Sequence, residues 1–400
     1  MVVAPRPRQA LLSAAAVAIL CGLPACHRGE QASPAAGKPS GVTVRMGGAG
    51  EDEQSDASNN RLGFPDLDGG WRESGYRLDW VGYPFVGNTQ ANSLKQLAIF
   101  TDAVVAQDSR SVVSLLDART GQTKWSVDLG TPLTKFCGVT RDPVDPTRIV
   151  VSSEGEAIIM AVASGNIIGR EKFARVISTS PIAEGGTYVY GTAVGEIIGH
   201  KLGYGLKGWG FQGVGPIKAN PVRVGGVVGT VSQGGDVTFI DGRSGSLVGR
   251  AKIFGGVDNQ PVAAGDSMII AGLDQSLWCF ATNGQERWRV RTPHKLTNQP
   301  AATGTAVYLD VPGDGLTAFD AGTGTTLWKN AKVHGRVFVQ KGGNLLVHAK
   351  DTVSVVDAKR GDLIRAIPVP GIARLEADKL EDGTVYAVSD RNVVARLVAK

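Results

Sequence analysis

One short pattern recurs along most of this 400-residue sequence with a period close to 40 residues. A tryptophan stands four residues after several turn glycines, and an aspartate stands four residues before several of them. The glycines are Gly121, Gly165, Gly205, Gly245, Gly284, Gly324 and Gly361, the tryptophans are Trp125, Trp209, Trp288 and Trp328, and the aspartates are Asp117, Asp241, Asp320 and Asp357. Three residue types in one register indicate a repeat protein.

Prolines form a second series with the same period, at Pro181, Pro221, Pro261 and Pro300. Each unit contains four short extended runs separated by turns that contain Gly or Asp, for example 260–264, 267–272, 276–281 and 286–292. Four strands in about 40 residues are typical of one blade of a β-propeller, and a leading proline suits the innermost strand.

The two ends of the repeat region predict the number of blades. Seven glycines give seven blades, and residues 383–387 and 391–398 supply two further strands without an outer one. Residues 76–83, with Trp80, have the character of an outer strand without inner ones. The sequence therefore predicts an all-β fold of eight four-stranded blades over residues 71–400, closed by the N-terminal strand.

The spacing of proline, aspartate, glycine and tryptophan resembles the tryptophan-docking repeat of the PQQ-like, quinoprotein-dehydrogenase-like propellers. Within that group, the blade number and the start of the chain resemble the outer-membrane protein assembly factor BamB lipoproteins. The resemblance implies a structural, blade-docking role for these positions: Asp117, Gly121, Trp125, Gly205, Trp209, Asp241, Gly245, Gly284, Trp288, Asp320, Gly324, Trp328, Asp357 and Gly361.

Residues 1–25 have the character of a targeting segment, with Arg6 and Arg8 before an apolar run at 10–20. The segment ends in L-P-A-C at Cys26 and resembles a bacterial lipoprotein signal, which implies acylation of Cys26. The alternative is an ordinary cleaved signal with an incidental cysteine. His27 follows the cysteine, and by family analogy this favours the outer membrane.

Residues 26–70 are mostly small and polar, so we expect a disordered tether between the anchor and the propeller. Cys137 and Cys279 lie three blades apart, and we interpret both as buried free thiols. The net charge of +5, part of it in the targeting segment, gives no support to a nucleic-acid partner.

The sequence contains no recognisable catalytic or metal-binding motif, and its histidines are scattered over different blades. The quinoprotein dehydrogenases raise the hypothesis of a quinone cofactor with a calcium ion. Their chemistry depends on two adjacent cysteines, and this chain has no such pair. We therefore predict no enzyme activity, no catalytic residue, no cofactor and no metal.

Polar residues precede the inner-strand prolines, at Ser180, Asn220, Gln260 and Gln299, and Lys218 and Asp258 lie near them. Ring symmetry places this set at one mouth of the channel. One interpretation is a polar mouth filled by water. The other is a partner or ligand face that includes Lys218, Asp258 and Gln299.

The favoured function is a monomeric, lipid-anchored scaffold of the cell envelope that binds protein partners. The family resemblance implies that these partners include the β-barrel assembly machinery. The alternatives are a propeller that binds a glycan or another small molecule, and a PQQ-dependent dehydrogenase-like enzyme. Exposed apolar and arginine residues on one rim would favour a protein partner, and aromatic residues converging at a channel mouth would favour a ligand.

Overall fold

The structure is a computed structural model that describes residues 44–46, 68–85, 93–130 and 134–400. The predicted signal segment, Cys26 and most of the predicted tether lie outside these residues. The first described elements are strand β1 (Val44–Met46), helix α1 (Asp68–Glu73) and strand β2 (Tyr76–Gly82).

Eight antiparallel sheets, which we call blades 1 to 8, follow one another around a ring. The strands of blades 1 and 2 are β3 (Leu94–Ile99), β4 (Ala103–Asp108), β5 (Val112–Asp117), β6 (Thr123–Asp128), β7 (Phe136–Arg141), β8 (Arg148–Ser153), β9 (Glu156–Ala161) and β10 (Ile167–Lys172). Those of blades 3 and 4 are β11 (Ile182–Glu184), β12 (Thr187–Gly191), β13 (Glu196–Lys201), β14 (Leu206–Gln212), β15 (Val222–Val224), β16 (Val227–Val231), β17 (Asp236–Ile240) and β18 (Leu247–Lys252).

The second half of the ring repeats this arrangement. Blades 5 and 6 contain β19 (Val262–Ala264), β20 (Ser267–Gly272), β21 (Ser276–Ala281), β22 (Glu286–Arg291), β23 (Ala301–Ala302), β24 (Ala306–Val311), β25 (Gly315–Asp320) and β26 (Thr326–Asn330). Blades 7 and 8 contain β27 (Arg336–Lys341), β28 (Asn344–Ala349), β29 (Thr352–Asp357), β30 (Leu363–Pro368), β31 (Ile372–Ala377), β32 (Val385–Ser389) and β33 (Val394–Ala399). The first strands of neighbouring blades contact one another, so they line the central channel.

Strand β2 completes blade 8 as its outer strand. It pairs antiparallel with β33, from Tyr76 opposite Ala399 to Gly82 opposite Val394. The Tyr76 hydroxyl also donates a hydrogen bond to the Gly383 carbonyl, 2.8 Å away. The predicted eight-bladed propeller, closed by its N-terminal strand, is confirmed.

Two elements lie in or beside the segment predicted as a tether. Strand β1 pairs with the outer strand β6 and gives blade 1 a fifth strand. Helix α1 spans the predicted boundary at residue 70, and its Trp71 is buried in a cluster formed by blades 7 and 8. No periodic signal in the sequence marks either element.

Tryptophans dock each of five blades onto the next. Trp125 of blade 1 covers Gly165 of blade 2, where a Cβ atom would come within 2.7 Å of the indole ring. The Trp125 indole N–H donates to the Val162 carbonyl at 2.7 Å. The same packing joins Trp80 to Gly121, Trp209 to Gly245, Trp288 to Gly324 and Trp328 to Gly361. These turn glycines have φ between +73° and +77°, so they need both a left-handed backbone and the space of a missing side chain.

The interfaces that lack a tryptophan use other packing. Gly169 and Gly249 stand where blades 2 and 4 would carry the ring, and the backbone of Asn283 approaches Gly249 instead. Blade 7 has Arg365 at this position, and Arg365 pairs with Glu73 of helix α1. Trp209 packs on Gly245, but its indole nitrogen has no hydrogen-bond partner among the described residues.

The repeating aspartates hold their own turns. One carboxylate oxygen of Asp320 accepts the backbone N–H groups of Gly322 and Thr323 at 3.0 and 2.8 Å. Asp117, Asp241 and Asp357 accept the corresponding groups. The pKa of all four carboxyl groups lies below its usual range because the ionised form accepts hydrogen bonds. Lys124 contributes most at Asp117, the Thr323 hydroxyl contributes most at Asp320, and backbone N–H groups contribute most at Asp241 and Asp357.

Substitution of alanine for Gly324 tests the docking. The methyl group would enter the Trp288 ring at φ +73°, whereas Gly205 at φ +64° has nothing within 4 Å of the same position. Both Gly324→Ala and Gly205→Ala incur a backbone cost of about 1–2 kcal/mol, and overpacking adds about 1–3 kcal/mol for Gly324→Ala alone. Urea unfolding measures both variants, and equal losses of stability would contradict the docking role.

Candidate functional site

The loops of blades 3 to 5 form a closely packed rim on one face of the ring. A Cβ atom on Gly195 would collide with the Gly215 carbonyl, and one on Gly234 would collide with the Val214 carbonyl. Glycine is therefore required for the connection after one blade to approach the hairpin of the next. The Gly-rich character of this region in the sequence has this physical cause.

Backbone hydrogen bonds fix the rim from blade to blade. The Gly213 N–H donates to the Gly195 carbonyl at 2.9 Å, and the Gly234 N–H donates to the Val214 carbonyl at 3.1 Å. Asp236 accepts the Val214 N–H at 2.6 Å. Burial acts to raise the Asp236 pKa, but Lys252 and this N–H outweigh it and the pKa lies below its usual value. The loops are thus held by groups that are charged at neutral pH.

Four apolar side chains stand on these loops and define what we call the rim surface. They are Val176, Val194, Val214 and Phe254, with exposed fractions of 57, 62, 63 and 78%. Hydrogen bonds link Val176 to Ala193, and Val194 to Gln212. Single exposed apolar residues are ordinary, but a series of them on neighbouring loops joined by hydrogen bonds is the kind of feature that marks a contact surface.

An aromatic and cationic stack supports Phe254. The Arg289 guanidinium lies 4.1 Å from the centroid of the Trp278 ring and 5.6 Å from that of Phe254. The Phe254 N–H donates to Asp274 at 3.2 Å, and Asp274 also accepts the Trp278 indole N–H. Trp278 is buried while Phe254 projects into solvent, so the aromatic ring of the rim surface is supported by a buried side chain.

The predicted partner-face residues divide into two groups. Lys218 and Asp258 are exposed, and each lies four residues after a member of the rim surface in the same inter-blade connection. Gln299 is half-buried and accepts a long contact from Arg336, 3.5 Å away, so it faces the channel. The rim surface itself was missed in the sequence, because the exposure of its apolar side chains follows from the packing of the loops.

The polar residues before the prolines join one blade to the next. The Ser180 N–H donates to Asn220 Oδ1 at 2.8 Å, and the Asn220 N–H donates to Gln260 Oε1 at 2.6 Å. Each bond spans one repeat. These side chains therefore satisfy the backbone of the preceding blade, which explains why they are polar and recur.

The thiols do not fit the quinone site of the dehydrogenases. Cys137 and Cys279 are free and lie in strands of different blades, so no adjacent pair can stack on a quinone. Cys279 is buried as expected, whereas Cys137 is half-buried. Burial raises the pKa of Cys137 to about 11, with a contribution from Glu154, so its thiol is neutral at physiological pH.

The described residues contain no group of three or more His, Cys, Asp or Glu side chains placed to hold a metal ion. His200 is fully buried, and its Nε2 lies 2.6 Å from Glu171 Oε1 at the junction of blades 2 and 3. In the part of the chain that the structure describes, no helix combines the length and the apolar content that a membrane crossing requires.

A family model described as outer membrane protein assembly factor BamB matches residues 109–256 and 312–400, more than half of the chain. The chain belongs to this family. The matched segments begin in blade 1 and end in blade 8, and the structure extends the same blade architecture through the intervening residues. Among curated proteins, none matches the chain.

Solved structures share the fold of this chain. BamB from Moraxella catarrhalis is 19% identical, with a TM-score of 0.60 over 76% of this chain and 96% of that one. The computationally designed Ika8 protein is 14% identical, with a TM-score of 0.61 over 81% of this chain and all of that one. At these identities the similarity establishes the fold.

The exposure of the rim surface predicts that its side chains can be replaced without loss of the fold. Because Phe254 is 78% exposed, we expect Phe254→Ala to change the free energy of unfolding by less than about 1 kcal/mol. Trp278 is 2% exposed, so Trp278→Ala should lower the free energy of unfolding by about 3–5 kcal/mol. Urea denaturation compares the two. A large loss of stability in Phe254→Ala would show that this ring belongs to the core and not to a contact surface.

Proposed function

We propose that this protein is a non-enzymatic scaffold of the bacterial cell envelope that takes part in the assembly of outer-membrane β-barrel proteins. Its BamB family membership supports this role. The single structural observation that carries the proposal is the rim surface, a series of exposed apolar side chains on neighbouring loops that close glycine contacts and backbone hydrogen bonds hold in place.

The chemistry of the rim surface suits a protein partner. Rigid apolar groups lose little conformational entropy on binding, and aromatic and arginine side chains contribute strongly at the centres of interfaces. Arg175, with a side chain 63% exposed, stands beside Val176. The rim surface therefore combines exposed apolar groups with an arginine, the combination that favours a protein over a small ligand.

Lys218 and Asp258 add opposite charges beside the apolar groups. Among the described residues neither side chain takes part in a salt bridge, so both are available to pair with a partner. Exposed charges at an interface edge mainly set the association rate and orientation. We propose that they orient the partner while Val214 and Phe254 supply the affinity.

The proposed anchor is an acylated Cys26, in an outer membrane and facing the periplasm. Several acyl chains bury enough methylene groups to hold a protein stably at a bilayer. The polar composition of residues 26–43, before strand β1 joins blade 1, supports a flexible connection to a monomeric propeller. In this arrangement the propeller stays on the membrane while its rim surface faces the assembly partner.

The test is binding between the full-length protein in detergent and the periplasmic domains of the β-barrel-inserting protein from the same organism. Phe254→Asp should weaken binding at least about tenfold, because it places a charge in an apolar contact. Ile364→Asp is the matched control, since Ile364 is 53% exposed on the outer strand β30.

Surface plasmon resonance with immobilised partner measures both variants. Retained binding by Ile364→Asp with loss in Phe254→Asp supports the proposal. Equal binding by the two variants would show that the rim surface is not part of the interface. No binding by the unaltered protein would contradict the assembly role itself.

A further inference from the structure

A cavity of about 380 Å³ lies in the central channel, away from the rim surface. Inner strands of four consecutive blades line it, through Val262, Ala301, Arg336 and Glu376 among others. Its volume falls within the range of small-molecule sites. Nothing in the proposed scaffold role uses this cavity.

Arg336 is the distinctive residue of the cavity. Its guanidinium donates to the Leu375 carbonyl at 2.9 Å and makes a long contact of 3.5 Å to Gln299 Oε1. Both partners are neutral, and a guanidinium has five N–H donors, so several remain for a ligand. Burial acts to lower the Arg336 pKa, the nearby Glu376 carboxylate acts to raise it, and Arg374 acts to lower it, so that the pKa lies below its usual value.

The cavity has a surplus of positive charge. Arg336 and Lys379 both line it, and neither has a carboxylate within salt-bridge distance among the residues that the structure describes. The one lining carboxylate, Glu376, is already paired with Arg374 at 3.1 Å. Glu376 is thus shared between Arg374 and Arg336, and the lining keeps one net positive charge that a bound anion would offset.

The remaining lining is largely apolar and includes Pro300, Ala302, Val337 and Leu380. A ligand that matches both the cationic residues and the apolar wall carries one oxyanion group and a short, weakly polar body. Arginine binds carboxylate and phosphate oxygens with paired hydrogen bonds, which favours these two groups over a halide.

We propose that this cavity binds a small organic anion, with a carboxylate or phosphate group on Arg336 and Lys379 and its body against the apolar wall. The site is independent of the rim surface, so its failure leaves the scaffold role intact. Because it joins the inner strands of blades 5 to 8, a bound anion also stabilises this part of the ring.

Thermal unfolding of the full-length protein in detergent, at constant ionic strength, provides the test. The probes are N-acetylalanine for a carboxylate, inorganic phosphate for a phosphate, and neutral N-acetylalaninamide as the control. We expect a rise in Tm with at least one anion that saturates with concentration, and no rise with the amide. The anion that raises Tm identifies whether the cavity prefers a carboxylate or a phosphate group.

Variants locate the effect. Arg336→Gln should abolish the Tm rise, whereas Arg360→Gln, an exposed arginine of the same blade paired with Asp362, should retain it. If Arg336→Gln does not fold, Lys379→Gln alters an exposed side chain and should weaken the probe's apparent affinity at least about threefold. An unchanged rise in Arg336→Gln or Lys379→Gln, equal rises with acid and amide, or no rise with either anion would overturn the proposal.

Discussion

The backbone hydrogen bonds between β2 and β33 join the two ends of the ring, and the rest of the architecture depends on them. Without them, blade 8 would lack its outer strand and β33 would present an open edge. The same strand carries Trp80, which docks on Gly121 of blade 1. One segment therefore completes the last blade and seals its contact with the first.

Inter-blade contacts turn the eight sheets into one rigid frame. Tryptophans dock the outer parts of five blades, while side chains such as Asn220 and Gln260 join the inner strands. The rim surface benefits from this rigidity, because Val214 and Phe254 are held before any partner arrives. Pre-organisation of this kind lowers the entropy that binding must overcome.

The sequence predicted what the repeat encodes. Gly324 and Trp328 gave the period and the blade number, because the same contact between a turn glycine and a tryptophan recurs at five of the eight junctions between blades. The burial of Trp71 was missed, since this residue stands outside the repeat. It packs against blades 7 and 8, where blade 7 has Arg365 in place of a docking tryptophan. A contact made once in the ring leaves no periodic signal.

The candidate sites were harder to predict for a related reason. Lys218, Asp258 and Gln299 are neighbours by repeat position, yet Gln299 faces Arg336 in the channel while the other two stand beside the rim surface. Which loops adjoin, and which side chains share a cavity, follows from the closed ring. Period and composition alone do not contain that information.

The most direct test of the account is site-specific photo-crosslinking in intact cells, with the photoreactive residue at position 254 or at position 364. The account predicts that position 254 crosslinks to a component of the β-barrel assembly machinery and that position 364, on the outer circumference, does not. The same crosslinked products from both positions, or an assembly component captured only from position 364, would contradict it.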